Sequence, residues 1–534
     1  MTFTSFNFFC FVALTVILYY LIPKKWRWII LLCASYAFYA VACIKYIFYI
    51  ILTTVSTFAG GLLLEKYINT SSDYIKSQKS KWSVDEKKQY KNKVTQNKKL
   101  ICAAVLVLNF GILSFLKYYN FFASSISSLL SALGLNAKMP ELGLILPLGI
   151  SFYTFQAMGY IIDIYRKKHG AERNIAKFAL FVSFFPQIVQ GPIDIYGKLA
   201  PQLYNGNKLQ FENIKQGILL MLWGLFKKLI IADRLVSAIT IVTDDYKAFS
   251  GTYILFVTLV YAVQLYADFS GGIDIARGVG QLLGINMAEN FRRPYFSRSI
   301  TEYWHRWHIT LGAWLREYLF YPIAMSKAFQ KFGKKIKKHF GVQLGKVLPT
   351  SIASLITFLV IGIWHGANWK YVGFGFWNGL IIMISTLLEP QFRTWKKKLH
   401  IQDKNALFIA FQMIRTFIIV LIGYYFDIAE GFVAAIRMMY ASVTDVHLTE
   451  IMNRQAAATL GLSVRDLIIA GVACIVVLTA SIIQEKTGKN IRECICRHGY
   501  VLECVAFLAV LFSIVIFGVY GPENNPSDFV YMQF

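Results

Sequence analysis

Long, unbroken apolar runs constrain this chain more than any other feature. They cover about residues 6–22, 28–42, 46–64, 100–118, 143–165, 213–232, 252–284, 347–363, 371–388, 407–427, 465–484 and 500–520. A helix crossing bilayer hydrocarbon needs about 20 mostly apolar residues, and these runs are of that order. A barrel strand would alternate apolar and polar positions over ~10 residues, which these runs do not. Only 16% of the 534 residues are charged, against about 25% in soluble domains. A single soluble domain, a disordered chain and a disulfide-stapled secreted fold are therefore excluded. The expectation is an all-α polytopic membrane protein, multi-pass in the plasma membrane, with the lipid bilayer as its first partner.

The formal net charge is +26. In a soluble protein such an excess points to nucleic acid. Here Lys and Arg cluster in short loops between apolar runs, as cytoplasmic loops do, so no nucleic-acid partner is expected. The loops at 327–346, 392–404 and 486–497 read as cytoplasmic, and 440–464 as external. The segment 66–99 carries ten lysines against two aspartates and one glutamate, and reads as a basic cytoplasmic insertion. Alternation from a retained first helix puts both termini outside, including an extracytoplasmic tail at 521–534. Lys227, Lys228 and Arg234 conflict with that alternation, because they fall at an end that it places outside. Pro186, Gly191 and Pro192 interrupt the apolar stretch 178–196. Such a broken or re-entrant segment is tolerated only when protein shields it or it lines a cavity. No internal repeat of the inverted-transporter kind is evident. The eight cysteines include no CxxC pair, so neither a redox pair nor a thiolate metal site is indicated.

Ionisable groups within the bilayer cost about 2.5–3.5 kcal/mol each on insertion scales and are functional candidates by default. Three central segments concentrate them: Tyr266–Asp274, Glu302–Tyr318 and Gly362–Trp369. His365 lies between two runs whose far ends carry basic loops, at mid-membrane depth or near the outer face. A neutral imidazole there can take a proton from a hydroxyl, or it ties a helix end by hydrogen bonds. If the stretch is helical, Asn368 lies one turn on and could orient the ring. His305 and His308, spaced i, i+3, fall on roughly one face of a helix. Trp304, His308, Leu311 and Leu315 would form one stripe, with Glu302 and Arg306 as i, i+4 partners. Two other readings stay open. One is a membrane-surface helix with aromatic anchors. The other is a zinc ion held by His305, His308 and His365. Asp268 and Asp274 read as buried partners of Arg277, Arg292 or Arg293. Gly271 and Gly272 read as sites of close helix approach. The ending Phe529-Val-Tyr-Met-Gln-Phe534 reads as an interfacial anchor or as a tail offering the Tyr531 hydroxyl.

Seven ordered motifs then carry a resemblance. They are Leu146-Pro-Leu-Gly-Ile-Ser-Phe-Tyr-Thr-Phe-Gln156, Ser183-Phe-Phe-Pro-Gln187 with Gly191-Pro192, and Phe226-Lys-Lys228 with Ile231-Ala-Asp233. Asp268-Phe-Ser-Gly271 and Asn290-Phe-Arg-Arg-Pro294 follow. The strongest are Arg298-Ser-Ile-Thr-Glu-Tyr-Trp-His-Arg-Trp-His-Ile-Thr310 and Trp364-His-Gly-Ala-Asn-Trp369. Together they resemble the membrane-bound O-acyltransferases, in particular the alginate and peptidoglycan O-acetyltransferase branch. The resemblance implies one membrane domain over 1–534, with the motif-bearing catalytic core at 100–388. It implies a ring of about 11 tilted helices, plus re-entrant segments, around a central tunnel. His365 matches the family's WHG histidine and His308 its second histidine, so both are expected to be catalytic. Tyr531 matches an acyl relay, although Val530 and Met532 depart from the FIYFQF-like ending. Asn368, Asp268, Trp304 and Arg306 are supporting candidates. His305 receives no role, since relatives often carry Arg there.

The function so implied is acetyl transfer from a cytoplasmic thioester, acetyl-CoA, to an extracytoplasmic polysaccharide. No cofactor or metal is implied. The implied partner is an extracytoplasmic SGNH-hydrolase-like acetyltransferase. Rival readings are D-alanyl transfer from a carrier protein to teichoic acid, a non-catalytic transporter, and a metalloenzyme.

Overall fold

A computed structural model describes residues 2–135, 138–453 and 455–520. Every regular element among them is helical. The chain is a polytopic, all-α membrane protein. Among the described residues, seven helices are long and apolar enough to cross a bilayer. The count reaches eight if the bent pair Trp369–Leu387 and Glu389–Lys398 forms one span. The ring expected from the resemblance had about eleven. The difference lies in how the runs fold. The runs at 28–42 and 46–64 join through a short 3-10 turn at Ile44–Tyr46 and form one near-continuous helical stretch. The run at 143–165 becomes helical only from Ile150. The stretch 178–196 is broken, as its prolines suggested: the helix Ile175–Ser183 stops, and only Phe185–Ile188 turns again.

The residues group into two compact units. The first comprises Met1–Ile218 and Ala276–Ala288. Its centre is the helix Ile150–Tyr165, buried on nearly every side. Around it pack Ile47–Ser77, Val84–Ala132 and Ile175–Ser183. The segment 66–99 is mostly helical. It is the extension of the helices Ile47–Ser77 and Val84–Ala132 beyond their apolar stretches. Ser83 starts the second helix: its hydroxyl accepts from the Glu86 N–H, and the Glu86 carboxylate accepts from the Ser83 N–H. The Ser83 hydroxyl also donates to that carboxylate, at 2.9 Å, and the two donors hold the Glu86 carboxyl below its ordinary pKa.

The second unit comprises Leu219–Ile275 and Glu289–Phe534, and it carries the candidate site. Its floor is a charged cluster in apolar surroundings. The helix Phe211–Leu225 passes into a π-helical turn, Phe226–Ala232. Such turns redirect side chains and recur at functional sites. This one points Lys228 between Asp268, at 2.6 Å, and Asp233, at 2.8 Å. Lys227 meets Asp274 at 2.7 Å and the Ser270 hydroxyl at 2.8 Å. Asp268 and Asp274 thus meet lysines, which the sequence reading had not offered as partners. This also explains the topological conflict. Lys227 and Lys228 are buried ion-pair members, so they mark no loop. A Cβ on Gly224 would lie 2.5 Å from the Gly271 carbonyl, so the two helices touch backbone to backbone as Gly271 suggested.

Removing one partner of a buried pair leaves an uncompensated charge and costs about 3–5 kcal/mol. Lys228→Met should therefore lower thermal stability in detergent by that order. An unfolding midpoint within a degree of wild type would contradict the assignment.

Candidate active site

The helix Val342–His365 and the helix Trp369–Leu387 form a tight antiparallel hairpin. A Cβ on Gly362 would fall 2.1 Å from the Tyr371 carbonyl oxygen, and one on Gly375 would fall 2.4 Å from that of Phe358. Only glycine permits this approach. It sets His365, the last residue of its helix, inside the protein at 6% exposure. The Trp364 ring lies 5.2 Å from His365 and 6.0 Å from His308. The Phe374 ring covers His365 at 5.4 Å. The helix stops at His365, so Asn368 is not one turn further along it. Its carboxamide instead caps the next helix, accepting from the Lys370 N–H at 3.0 Å.

His308 is not on a helical stripe with Trp304. The helix Ile300–Arg306 ends, Trp307 is extended, and His308 takes a left-handed conformation at φ 45. A new helix, Ile309–Leu315, begins after it. The break is enforced by pairing with the segment before it. The Arg292 N–H donates to the Arg306 carbonyl, and the Ile309 N–H to that of Asn290. Trp307 bridges to Phe291. A left-handed non-glycine residue costs of order 1–3 kcal/mol and persists only where the surroundings impose it. Here they turn the imidazole inward, to 2% exposure, edge-on to the Phe269 ring at 4.9 Å.

Asn290 sets the tautomer of His308. Its Oδ1 accepts from the Thr310 N–H at 3.0 Å and the Thr310 hydroxyl at 2.9 Å. A backbone N–H can only donate, so the shared atom is an acceptor. His308 Nδ1, 3.2 Å away, must therefore carry a proton. The lone pair of a neutral His308 is then on Nε2, the atom suited to act as base. Asn290 Nδ2 is buried and finds no acceptor among the described residues. The Trp364 ring contacts both imidazoles. The fold thus brings the two expected histidines together.

A family model for the membrane-bound O-acyltransferases, MBOAT, matches residues 166–426. The "Probable alginate O-acetylase AlgI" of Pseudomonas syringae pv. tomato is 33% identical over 88% of this chain and 80% of its own length. The chain belongs to the membrane-bound O-acyltransferase family. A peptidoglycan O-acetyltransferase of Helicobacter pylori is 31% identical over 52% of this chain and 54% of its own. A teichoic acid D-alanyltransferase of Streptococcus thermophilus is 28% identical over 45% and 56%. The protein is therefore an acyltransferase of the membrane.

The remaining candidates are placed relative to these two histidines. Asp268 holds Lys228 and precedes Phe269, the ring against His308. The Trp304 indole N–H donates to Asn378 at 3.2 Å, and its ring packs on Phe374, 6.1 Å away. Trp304 and His305 line a cavity of about 310 Å³, together with Arg316, Phe358 and Ile361. The cavity wall reaches Ile361, one turn before His365, and neither His365 nor His308 forms part of it. His305 is exposed and lies 3.4 Å from the Arg316 guanidinium. Among the described residues no three His, Cys, Asp or Glu converge as a metal site. Tyr531 and the 521–534 tail lie outside the described residues.

Arg306 pairs with Glu302 at 2.7 Å, the i, i+4 partner. It also meets both oxygens of Glu485, at 3.1 and 3.0 Å. Arg293 donates to the same carboxylate at 2.6 Å. Glu485 thus ties down both sides of the loop that presents Asn290 and His308. Sequence reasoning passed over Glu485, which sits near the end of the run 465–484 and reads as a boundary charge. A misplacement of ~1 Å can cost ~10²-fold in rate. Glu485→Gln should therefore lower kcat about 10- to 100-fold with KM little changed. Steady-state acyl transfer by purified protein checks this, and an unchanged kcat would remove Glu485 from the positioning network.

Proposed function

We propose that this acyltransferase moves an acetyl group from cytoplasmic acetyl-CoA to hydroxyls of a polysaccharide outside the plasma membrane. The observation that carries the reading is the pairing of His308 and His365. Two segments far apart in the chain bury their imidazoles beside the same tryptophan. In that water-poor setting a neutral imidazole serves as a general base.

The thioester is already activated, so no nucleotide is needed. A hydroxyl oxygen attacks its carbonyl carbon while His365, assisted by His308, takes the hydroxyl proton. A C–O bond forms, the C–S bond breaks, and the proton leaves on the CoA thiol. Asn290 Nδ2, a buried donor beside His308, is suited to the charge that develops on the carbonyl oxygen. The attacking hydroxyl belongs to Tyr531 as an acyl relay, to a partner protein or to the glycan. An SGNH-hydrolase-like acetyltransferase outside the membrane completes delivery. The basic loops draw the phosphates of acetyl-CoA to the cytoplasmic face.

D-alanyl transfer is the alternative. The alginate O-acetylase aligns over 88% of the chain, against 45% and 54% for the D-alanyltransferases, which favours acetyl. General acid–base catalysis contributes about 10²–10⁴-fold. His365→Ala and His308→Ala should each lower transfer from radiolabelled acetyl-CoA by at least that order in vesicles, with folded protein retained. Label transferred at the wild-type rate by either variant would overturn the mechanism. Label accepted only from an acylated carrier protein would shift the reading to the alternative donor.

A further inference from the structure

The helices Ile47–Ser77 and Val84–Ala132 are 31 and 49 residues long. At 1.5 Å per residue they measure about 46 and 74 Å, far beyond ~30 Å of hydrocarbon. Their overshoot is an ordered hairpin. The Asn109 carboxamide donates to Ser56 at 3.1 Å, Val105 sits against Gly60, and Asn97 donates to the Tyr67 hydroxyl at 2.9 Å. Further out, the Tyr74 and Tyr90 rings lie 5.2 Å apart, and Trp82 closes the tip at 5.4 and 5.0 Å from them. The register is thus held from the apolar stretch to the turn.

This arm carries the ten lysines of 66–99. Asp73 pairs with Lys76 at 3.2 Å, and Glu86 serves the helix cap. Lys88, Lys91 and Lys99 share one exposed face of the second helix, flanked by Lys87, while Lys98 lies over the Tyr165 ring at 5.2 Å. No acidic residue lies between positions 87 and 99. The result is a cationic stripe about 18 Å long.

We infer that the arm is a docking post for a soluble cytoplasmic protein with an acidic surface. The lysine excess assigns it to the cytoplasm. Its reach argues against lipid as the occupant. The apolar runs end at Leu64 and resume at Leu100, so the tip stands about 20 Å past the hydrocarbon edge. Headgroup charge is screened within ~8 Å at physiological salt, so the outer lysines are beyond its hold. The three aromatics pack on one another at the tip instead of interleaving with the lysines. That is unlike a stacking surface for single-stranded nucleic acid. A complementary protein surface fits both the length of the stripe and its rigidity.

The test is site-specific photo-crosslinking of the full chain in its native membrane. A photoreactive residue replaces Thr95 or Lys99 on the stripe, and Asn69 on the other helix as control. The expected result is one protein adduct of acidic isoelectric point from the stripe positions, at least tenfold weaker from position 69. It should fall at least tenfold in ~0.5 M salt, as exposed charge pairs do. It should fall as far when Lys87→Gln, Lys88→Gln and Lys91→Gln are combined. The unfolding midpoint of that triple variant should match wild type, which separates lost docking from lost folding. Adducts only to lipid or to RNA, no adduct, or an adduct indifferent to salt and to the substitutions would each overturn the inference.

Discussion

Charge inside a low-dielectric membrane must be answered by charge or by hydrogen bonds, and this requirement organises the second unit. Lys227 and Lys228 would each be costly alone among apolar side chains. The π-helical turn at Phe226–Ala232 offers them to Asp274, Asp268 and Asp233 at 2.6–2.8 Å. Once those contacts form, the helix carrying Asp268 is held against the turn, with Gly224 and Gly271 in backbone contact. Phe269 follows Asp268 directly, and its ring is one wall of the His308 pocket. The ion pairs therefore connect stability to the site through a single residue step.

The other walls come from chain reversals. His308 sits at a left-handed residue between two short helices, and Arg293 takes a similar conformation at φ 49. Backbone pairing across residues 290–309 and the Glu485 carboxylate hold both in place. His365 sits where a glycine-packed helix ends. Neither imidazole rides in the middle of a regular helix. Each is placed by an interruption, a geometry that helix periodicity does not describe.

That accounts for what could and could not be read from the chain. The all-helical membrane class follows from run length, because hydrocarbon thickness leaves little choice. His308 and His365 were legible as buried ionisable groups, and their motifs supported the choice. The stripe of Trp304, His308, Leu311 and Leu315 was not, because it assumed one unbroken helix from Glu302 to Tyr318. The helical condition set for Asn368 is not met for the same reason: the helix ends before it. The lysine partners of Asp268 and Asp274 were hidden because Lys227 and Lys228 look like loop residues until the π-helical turn buries them. Glu485 was hidden by distance in sequence from the loop it clamps.

The central claim is that His308 and His365 act as one unit in proton transfer. A double-mutant cycle on acetyl transfer by His308→Ala, His365→Ala and the combined variant tests it most directly. Residues acting as a unit show strongly non-additive losses. The account predicts that the double variant is no slower than the slower single variant. Losses that multiply in the double variant would contradict it.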